Sequence, residues 1–505
     1  MRRAILPQND LRGAQASTIQ QMSSPKTYKP SRFNVHTTAP DGSVILYNTF
    51  SGHCCVVPAT CSGTVLAYLS QKGVERILDD LGEYLLKAGY IVEAGLNELM
   101  RFDVAYSAQW YRNDVLFLVL LASEDCNFRC VYCSQPFKRG TMQSSVRTAV
   151  RRFLQARIPK LNLLSIEWFG GEPLLGYEAI EDLAPFFQEV ARDNDVHYGS
   201  GITTNGYLLT RDRVRAMLQW GILAYQITVD GLPDEHNVKR PLKDGRPTFH
   251  TIMDNLAGMR QFSEAFDVRL RVNFDRQNIC RLRPYFEFVR DRLGGDPRFR
   301  IAFNAVGRWG SRNDEGLDVF TTEALESQAA LREQARNAGL PIESAMFGLR
   351  RVVNCTATTA GGLIVGANGR IMKCTNHGVF PEDINIIGRL LEDGTAEINA
   401  DKNLKWIVPY YNHDQKCKRC FYLPICKGGI VCPAARVRDL QPECPAPKMH
   451  IRSLLLEYWR ERRVTGGGNV QHFTARSESN KPGAPFPANS QSGGNFDQRG
   501  VALAL

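Results

Sequence analysis

Residues 116–133, LFLVLLASEDCNFRCVYC, decide how this chain reads. The opening LFLVLLA is a continuous apolar run of strand length, as a strand buried on both faces requires. It ends in a loop carrying Cys126, Cys130 and Cys133 at Cys-x3-Cys-x2-Cys spacing. Three thiolates so placed can bind three irons of a [4Fe–4S] cube. Such clusters usually take four cysteines, so one iron is left open. An open iron beside a pocket points to chemistry, whereas a fully ligated cluster points to electron transfer or structure. The same cysteines also suit a tetrahedral zinc site with one further ligand.

The chain has 505 residues, enough for two or three domains. Hydrophobic residues make up 43% and charged residues 23%, an ordinary globular balance. The net charge of +10 is modest for this length, and no Lys/Arg block with interleaved aromatics occurs. Nucleic-acid binding is therefore not expected, while a weakly acidic peptide partner fits the sign. No run of about 18 apolar residues exists, so no membrane span is expected. The start MRRAILPQND lacks the apolar core of a secretory signal. Fourteen cysteines without an export signal favour metal ligation in a reducing cytoplasm over disulfides.

Residues 1–30 are polar and aperiodic, and 465–505 mix Gly, Asn, Ser and Pro, so both read as disordered tails. Between them, 31–112 reads as a compact module. Ser43–Tyr47 and Cys54–Val57 are strands around the turn NTFSG, and Ile77, Leu78, Leu81, Leu85 and Leu86 follow a helical period. Gly89 stands where a helix C-cap belongs, with a short strand Tyr90–Val92 after it. Cys54, Cys55 and Cys61 lack ligand spacing and read as ordinary thiols, as does Cys280. From 113 to 310 strand and helix patterns alternate. LLSIEWF, YGSGITTNG, AYQITVDG, VRLRVNFD and FRIAFNAV are strands, each following a helical stretch such as SVRTAVRRFLQARI. Repeated βα units imply an α/β fold with a parallel sheet or barrel whose active loops lie at the strand C-termini. The segment 311–350 reads as a helical linker, and Arg308, Trp309 and Asp314 before and within it read first as an ordinary solvated loop, with a substrate entrance as the alternative.

Successive strand ends carry further short motifs. They are Gly170-Gly171-Glu172-Pro173, then Thr203-Thr204-Asn205-Gly206, then Gln226-Ile227-Thr228-Val229-Asp230-Gly231 followed by DEHNVKRP with His236 and Arg240. With the cysteine triplet and in this order, they resemble the radical S-adenosylmethionine (SAM) superfamily. The resemblance implies a partial (β/α)6 barrel. It also implies a [4Fe–4S] cluster on Cys126, Cys130 and Cys133 whose open iron is chelated by SAM, and reductive cleavage to a 5′-deoxyadenosyl radical. It places Gly170, Gly171, Glu172 and Pro173 at the SAM amino group and Tyr132 by the adenine. Thr204, Asn205, Gln226, Asp230 and Arg240 fall near the ribose, carboxylate or substrate. Asn273 is a further candidate contact, and His236 reads better as a structural histidine than as a base.

Downstream, Cys355-x13-Gly369-x4-Cys374 precedes Cys417-x2-Cys420-x5-Cys426, Cys432 and Cys444. This resembles the SPASM extension of radical SAM enzymes, assigned here to 351–464. It implies two auxiliary [4Fe–4S] clusters, one on Cys417, Cys420, Cys426 and Cys444, the other on Cys355, Cys374 and Cys432. Five residues separate Cys426 from Cys432 where the family usually has three, and seven cysteines leave an eighth ligand position open. The N-terminal module resembles winged-helix leader-recognition elements, and a plain scaffold is the alternative. The combined resemblance implies oxidation or cross-linking of a ribosomally made peptide or protein, with an electron donor such as flavodoxin or ferredoxin. Sulfatase-type formylglycine formation is the alternative within enzymes, and a zinc-binding scaffold the alternative outside them.

Overall fold

The apolar run becomes β1 (Val115–Ser123), with all nine residues buried. Strands buried on both faces belong at the middle of a sheet, and β1 lies inside a ten-stranded one. The computed structural model describes residues 27–464 except 71–78, 311–312, 321–322, 350–354, 409–413, 429–431, 434–436 and 439–443. Both terminal tails of the sequence reading fall almost wholly outside the described residues.

Five further strands follow, β2 (Leu163–Gly170), β3 (His197–Thr204), β4 (Ile222–Thr228), β5 (Asp267–Phe274) and β6 (Phe299–Ala305). They stand in chain order beside β1, all parallel. Helices Ser144–Arg157, Tyr177–Asp193, Arg211–Gln219, Phe249–Met259 and Leu282–Leu293 connect them. Each is amphipathic. In Tyr177–Asp193 the buried positions Ile180, Leu183, Ala184 and Phe187 recur at three- and four-residue spacing. They pack with Leu116, Leu118, Leu120, Ile166 and Trp168 in the main core.

Strand side chains alternate between faces. On β5, Val268, Leu270 and Val272 enter that core, so Arg269, Arg271 and Asn273 turn to the other face. There β5 is polar, while at β1 the same face carries the apolar cluster of Val119, Leu121, Ile364 and Met372.

On the far side of β1 the sheet continues across the boundary expected near 351. β7 (Gly362–Val365) pairs with β1 in parallel, and β8 (Arg370–Met372), β9 (Ile386–Leu390) and β10 (Ala396–Ile398) follow antiparallel. The Glu124 carboxylate at the end of β1 is held by the Arg370 guanidinium on β8, both buried. The cysteine-rich segment is thus built onto the same sheet as the cluster loop.

The N-terminal module forms a three-stranded antiparallel sheet of Asn34–Thr38, Val44–Asn48 and Cys54–Val57, and a pair of Tyr28–Pro30 with Ile91–Glu93. Gly89 takes the left-handed conformation expected of a C-cap, φ 82°. The expected helical positions Ile77 and Leu78 lie outside the described residues. Val35, Ile45 and Tyr47 pack on Leu454, Leu455 and Trp459 of the C-terminal helix Ile451–Val464. Phe33, Phe102, Tyr106 and Trp110 enclose Leu423 of the Cys417–Cys426 stretch. None of the described helices is long and apolar enough to cross a membrane.

The C-terminal helix is also tied to helix Ala324–Asn337, because Arg332 and Glu457 form a bidentate pair, both buried, with Nη2···Oε2 at 2.7 Å. Removing one partner strands a buried charge. Glu457→Ala is expected to lower unfolding free energy by about 3–5 kcal/mol, measured by urea denaturation.

Candidate active site

The three cysteines leave β1 in a loop clamped from two sides. On one side stands the turn after β2. Gly171 N–H donates to Ser123 O at 3.0 Å and Glu172 N–H to Asp125 O at 2.9 Å. The approach leaves no room for side chains. A Cβ on Gly170 would stand 1.9 Å from Ser123 O, and one on Gly171 2.5 Å from Asp125 O and 3.1 Å from Cys126 Cβ. Gly170 also needs φ 141°, which side-chain-bearing residues avoid. Pro173 is buried at the start of the short turn Pro173–Gly176. On the other side, Arg129 N–H donates to Pro241 O, Val131 N–H to Lys239 O and Lys243 N–H to Asn127 O.

Glu172 is fully buried, and its carboxylate serves the protein. Oε1 accepts from Thr204 Oγ1 at 2.7 Å and from Leu174 N at 3.0 Å, and Oε2 accepts from Asn205 N at 2.7 Å. Burial raises its pKa and these donors oppose the rise. Asn205 in turn donates through Nδ2 to Asn127 Oδ1 at 2.8 Å, 3.9 Å from Cys126 Sγ.

Tyr132, Asp230, Arg240 and Asn273 form one buried network. Tyr132 donates its hydroxyl to Asp230 and accepts from Arg240 Nη1 at 2.8 Å and Asn273 Nδ2 at 2.9 Å. The second Asp230 oxygen accepts from Asn273 N at 2.8 Å. His236 has no exposed surface. Its Nδ1 accepts from Asp230 N at 3.2 Å, and its Nε2 lies 3.1 Å from Thr248 Oγ1, which donates to Arg240 O. Burial holds its pKa well below the ordinary value. It is a satisfied core histidine that orders the Arg240 segment.

The thiols of the triplet sense one another. Burial pushes Cys126 up, and Glu172, Cys130 and Cys133 add to the rise. Cys130 is pushed up to about 12 by burial, with Arg240 opposing. Cys126 is buried and Cys130 and Cys133 are half-buried, three soft donors on one loop of the kind an iron centre takes. Among the described residues no three Cys, His, Asp or Glu side chains converge as ligands of a single ion. A cube instead gives each thiolate its own iron.

The downstream cysteines fall into two electrostatic groups. Burial pushes Cys355 up to about 11 and Cys374 up to about 12, and Cys432 repels both thiolates. Burial pushes Cys417 up to about 12, with Asp414, Cys426 and Cys420 adding to it. Lys448 Nζ donates to Cys444 Sγ at 3.3 Å and also interacts with Cys420. Cys54, Cys55, Cys61 and Cys280 belong to neither.

Sequence reading passed over Glu167. On β2 it faces the polar side of the sheet and is buried. Oε1 accepts from Thr203 Oγ1 at 2.9 Å, while Oε2 has no hydrogen-bond partner among the described residues. The signal was present, since a lone carboxylate interrupts the apolar run LLSIEWF. Gln226 on the same face accepts from Arg269 Nη1 at 3.1 Å.

Burial pushes Glu167 from its ordinary 4.5 up to about 8. Between these values the folded chain binds one more proton than the unfolded chain, so this contribution is full below pH 4.5 and lost as pH rises through 8. Glu167→Gln is expected to abolish that slope, gaining up to about 5 kcal/mol over wild type by pH 9 in denaturant titrations. Gly171→Ala is expected to displace the cluster loop. Unfolding free energy should fall by about 1–3 kcal/mol in denaturant titrations while far-ultraviolet circular dichroism is retained.

Residues 120–268 match the profile of the Radical SAM superfamily. A GTP 3′,8-cyclase of Klebsiella pneumoniae is 30% identical over 44% of this chain and 63% of its own, so this chain spans less than two thirds of that relative. A PqqA peptide cyclase of Gluconobacter oxydans is 23% identical over 51% of this chain and 69% of its own. A cysteine-type anaerobic sulfatase-maturating enzyme of Clostridium novyi is 22% identical over 62% of this chain and 86% of its own. Among solved structures, native anSMEcpe with bound AdoMet and Cp18Cys peptide superposes with a TM-score of 0.53. It is 18% identical and covers 70% of this chain and 98% of that one, a likeness of fold. The matched stretch runs from within β1 to the start of β5 and contains the cysteine triplet, the GGE turn and the tyrosine network except Asn273. The similarity to the Radical SAM superfamily therefore falls on the stretch that holds the site.

Proposed function

We propose that this protein is a radical SAM enzyme that modifies a peptide or protein, by oxidation or cross-linking. The observation that carries the reading is the clamped loop of Cys126, Cys130 and Cys133 at the C-terminal end of β1, beside the GGE turn. When bound there, a [4Fe–4S] cluster with SAM supplies a hydrogen-abstracting 5′-deoxyadenosyl radical on one-electron reduction. The protein's own work is positional. The Gly170–Gly171 turn would receive the SAM amino group. Arg240, held by Tyr132 and lying close to Cys130, offsets anionic charge. Tyr132 and Asn273 line the adenosine side, with Asp230 fixing both from beneath. Thr204 and Asn205 set the end of β3, and Gln226 belongs to the substrate side.

Residues 351–464 act as a SPASM-type domain with two auxiliary clusters, on Cys417, Cys420, Cys426 and Cys444 and on Cys355, Cys374 and Cys432. The second set keeps one position for a carboxylate, water or substrate ligand. The segment 31–112 serves as a winged-helix-like leader module, and a flavodoxin- or ferredoxin-type donor supplies electrons. Peptide substrates are supported by likeness to a PqqA peptide cyclase. Formylglycine formation is the second reading, favoured by likeness to a cysteine-type sulfatase-maturating enzyme. A short cysteine peptide converted without any leader would select it.

The triple variant Cys126→Ala, Cys130→Ala, Cys133→Ala is expected to lose 5′-deoxyadenosine formation entirely, assayed by chromatography with SAM and dithionite. It should keep about eight of about twelve irons, on four per cube. Deoxyadenosine formed by that variant would overturn the proposal.

A further inference from the structure

A groove of about 550 Å³ opens between the loop after β6 and the segment following Cys374. Three cations line it, Arg308, Lys405 and Arg438, together with Trp309, Val379 and Val437. No carboxylate stands among its described lining residues. Lys405 and Arg438 are exposed, and Trp309 is 49% exposed. Arg308 donates to the carbonyls of Asp314 and Leu317, which fix the guanidinium without neutralising it. The floor is rigid, since a Cβ on Gly310 would stand 2.2 Å from Gly378 O.

Hydrogen bonds tie the loop of one wall to the triplet loop, and the triplet loop to the segment that leads into the other wall. Asn313, from the loop forming one wall, donates to Val131 O at 3.1 Å inside the triplet loop. Gln135, just past the triplet, donates to Thr375 O at 2.7 Å, beside Cys374. The other wall continues directly from Cys374, and Val437 and Arg438 follow Cys432 by a few residues.

We infer that the groove binds an acidic segment of the peptide substrate, its carboxylates on Arg308, Lys405 and Arg438 and its apolar side chains on Trp309. The inference rests on the peptide-modifying reading above and adds a substrate class to it. The volume falls within the range of ligand sites and suits a few residues rather than a whole partner. Apolar walls beside the cations favour a peptide over a free phosphate, which leaves them unused. Cationic rims act mainly by steering and register, so binding should be salt-sensitive.

The test uses the full-length, reconstituted protein and two fluorescein-labelled peptides. One alternates Glu and Asp with Leu and Ala, and the other replaces each acid by its amide. Fluorescence anisotropy is expected to show the acidic peptide binding at least about tenfold more tightly, weakened about tenfold between about 50 and 300 mM salt. The double reversal Lys405→Glu, Arg438→Glu should remove that preference, whereas Lys160→Glu, exposed before β2, should leave it intact. Equal binding of both peptides, no binding of either, indifference to the double reversal, or displacement by about 1 mM inorganic phosphate would each overturn the inference. Deoxyadenosine formation by the same wild-type preparation, assayed without peptide, separates the two readings. Its presence without acidic-peptide binding sinks the groove alone, and its absence sinks the wider reading.

Discussion

The carboxylate of Glu172 is the point on which the site's geometry depends. It lies without exposed surface at the meeting of two strand ends and receives Thr204 Oγ1, Leu174 N–H and Asn205 N–H. A buried carboxylate is tolerated only when its oxygens are so occupied. This one fixes the GGE turn against the end of β3 while the turn's own N–H groups hold the cluster loop. The glycines follow from the same constraint, because the loop backbone occupies the space that a Cβ would fill. Motif letters that read as cofactor contacts are therefore first a device for bringing three strand ends within hydrogen-bond reach.

From that junction rigidity spreads in two directions. Toward β5, the Tyr132–Asp230–Asn273 network and the neutral His236 fix the segment that closes over the triplet. Toward β7, the buried Glu124–Arg370 pair and the parallel pairing with β1 carry the sheet into the cysteine-rich segment. The N-terminal module completes the frame by packing Phe33 and Trp110 around Leu423. The loop of the triplet and the segment around Cys374 thus stand on one continuous sheet.

The order of strands and helices was legible because strongly periodic helices alternate with short apolar runs, and LFLVLLA announced its own burial. The triplet and the GGE turn were legible from their spacing and order. Continuity of the sheet across residue 351 was not, since GLIV and RIM are too short to declare a strand partner from local pattern. The Arg370 partner of Glu124 lies 246 residues away, and only the fold brings them together. Glu172 could be recognised as a motif residue, but not as one whose oxygens face inward, because hydrogen bonding is set by the neighbouring strand. Glu167 was legible in principle, as a charge inside an apolar strand, and its burial shows why that signal merits weight.

The central claim is that the triplet holds a cluster with one iron open to SAM. The most direct measurement is the low-temperature electron paramagnetic resonance spectrum of the anaerobically reconstituted, dithionite-reduced protein, recorded with and without SAM. The account predicts a reduced [4Fe–4S] signal whose g values shift when SAM is added, with no such shift in the triple cysteine variant. A wild-type spectrum unchanged by SAM, or a preparation that takes up zinc and shows no such signal, would contradict it.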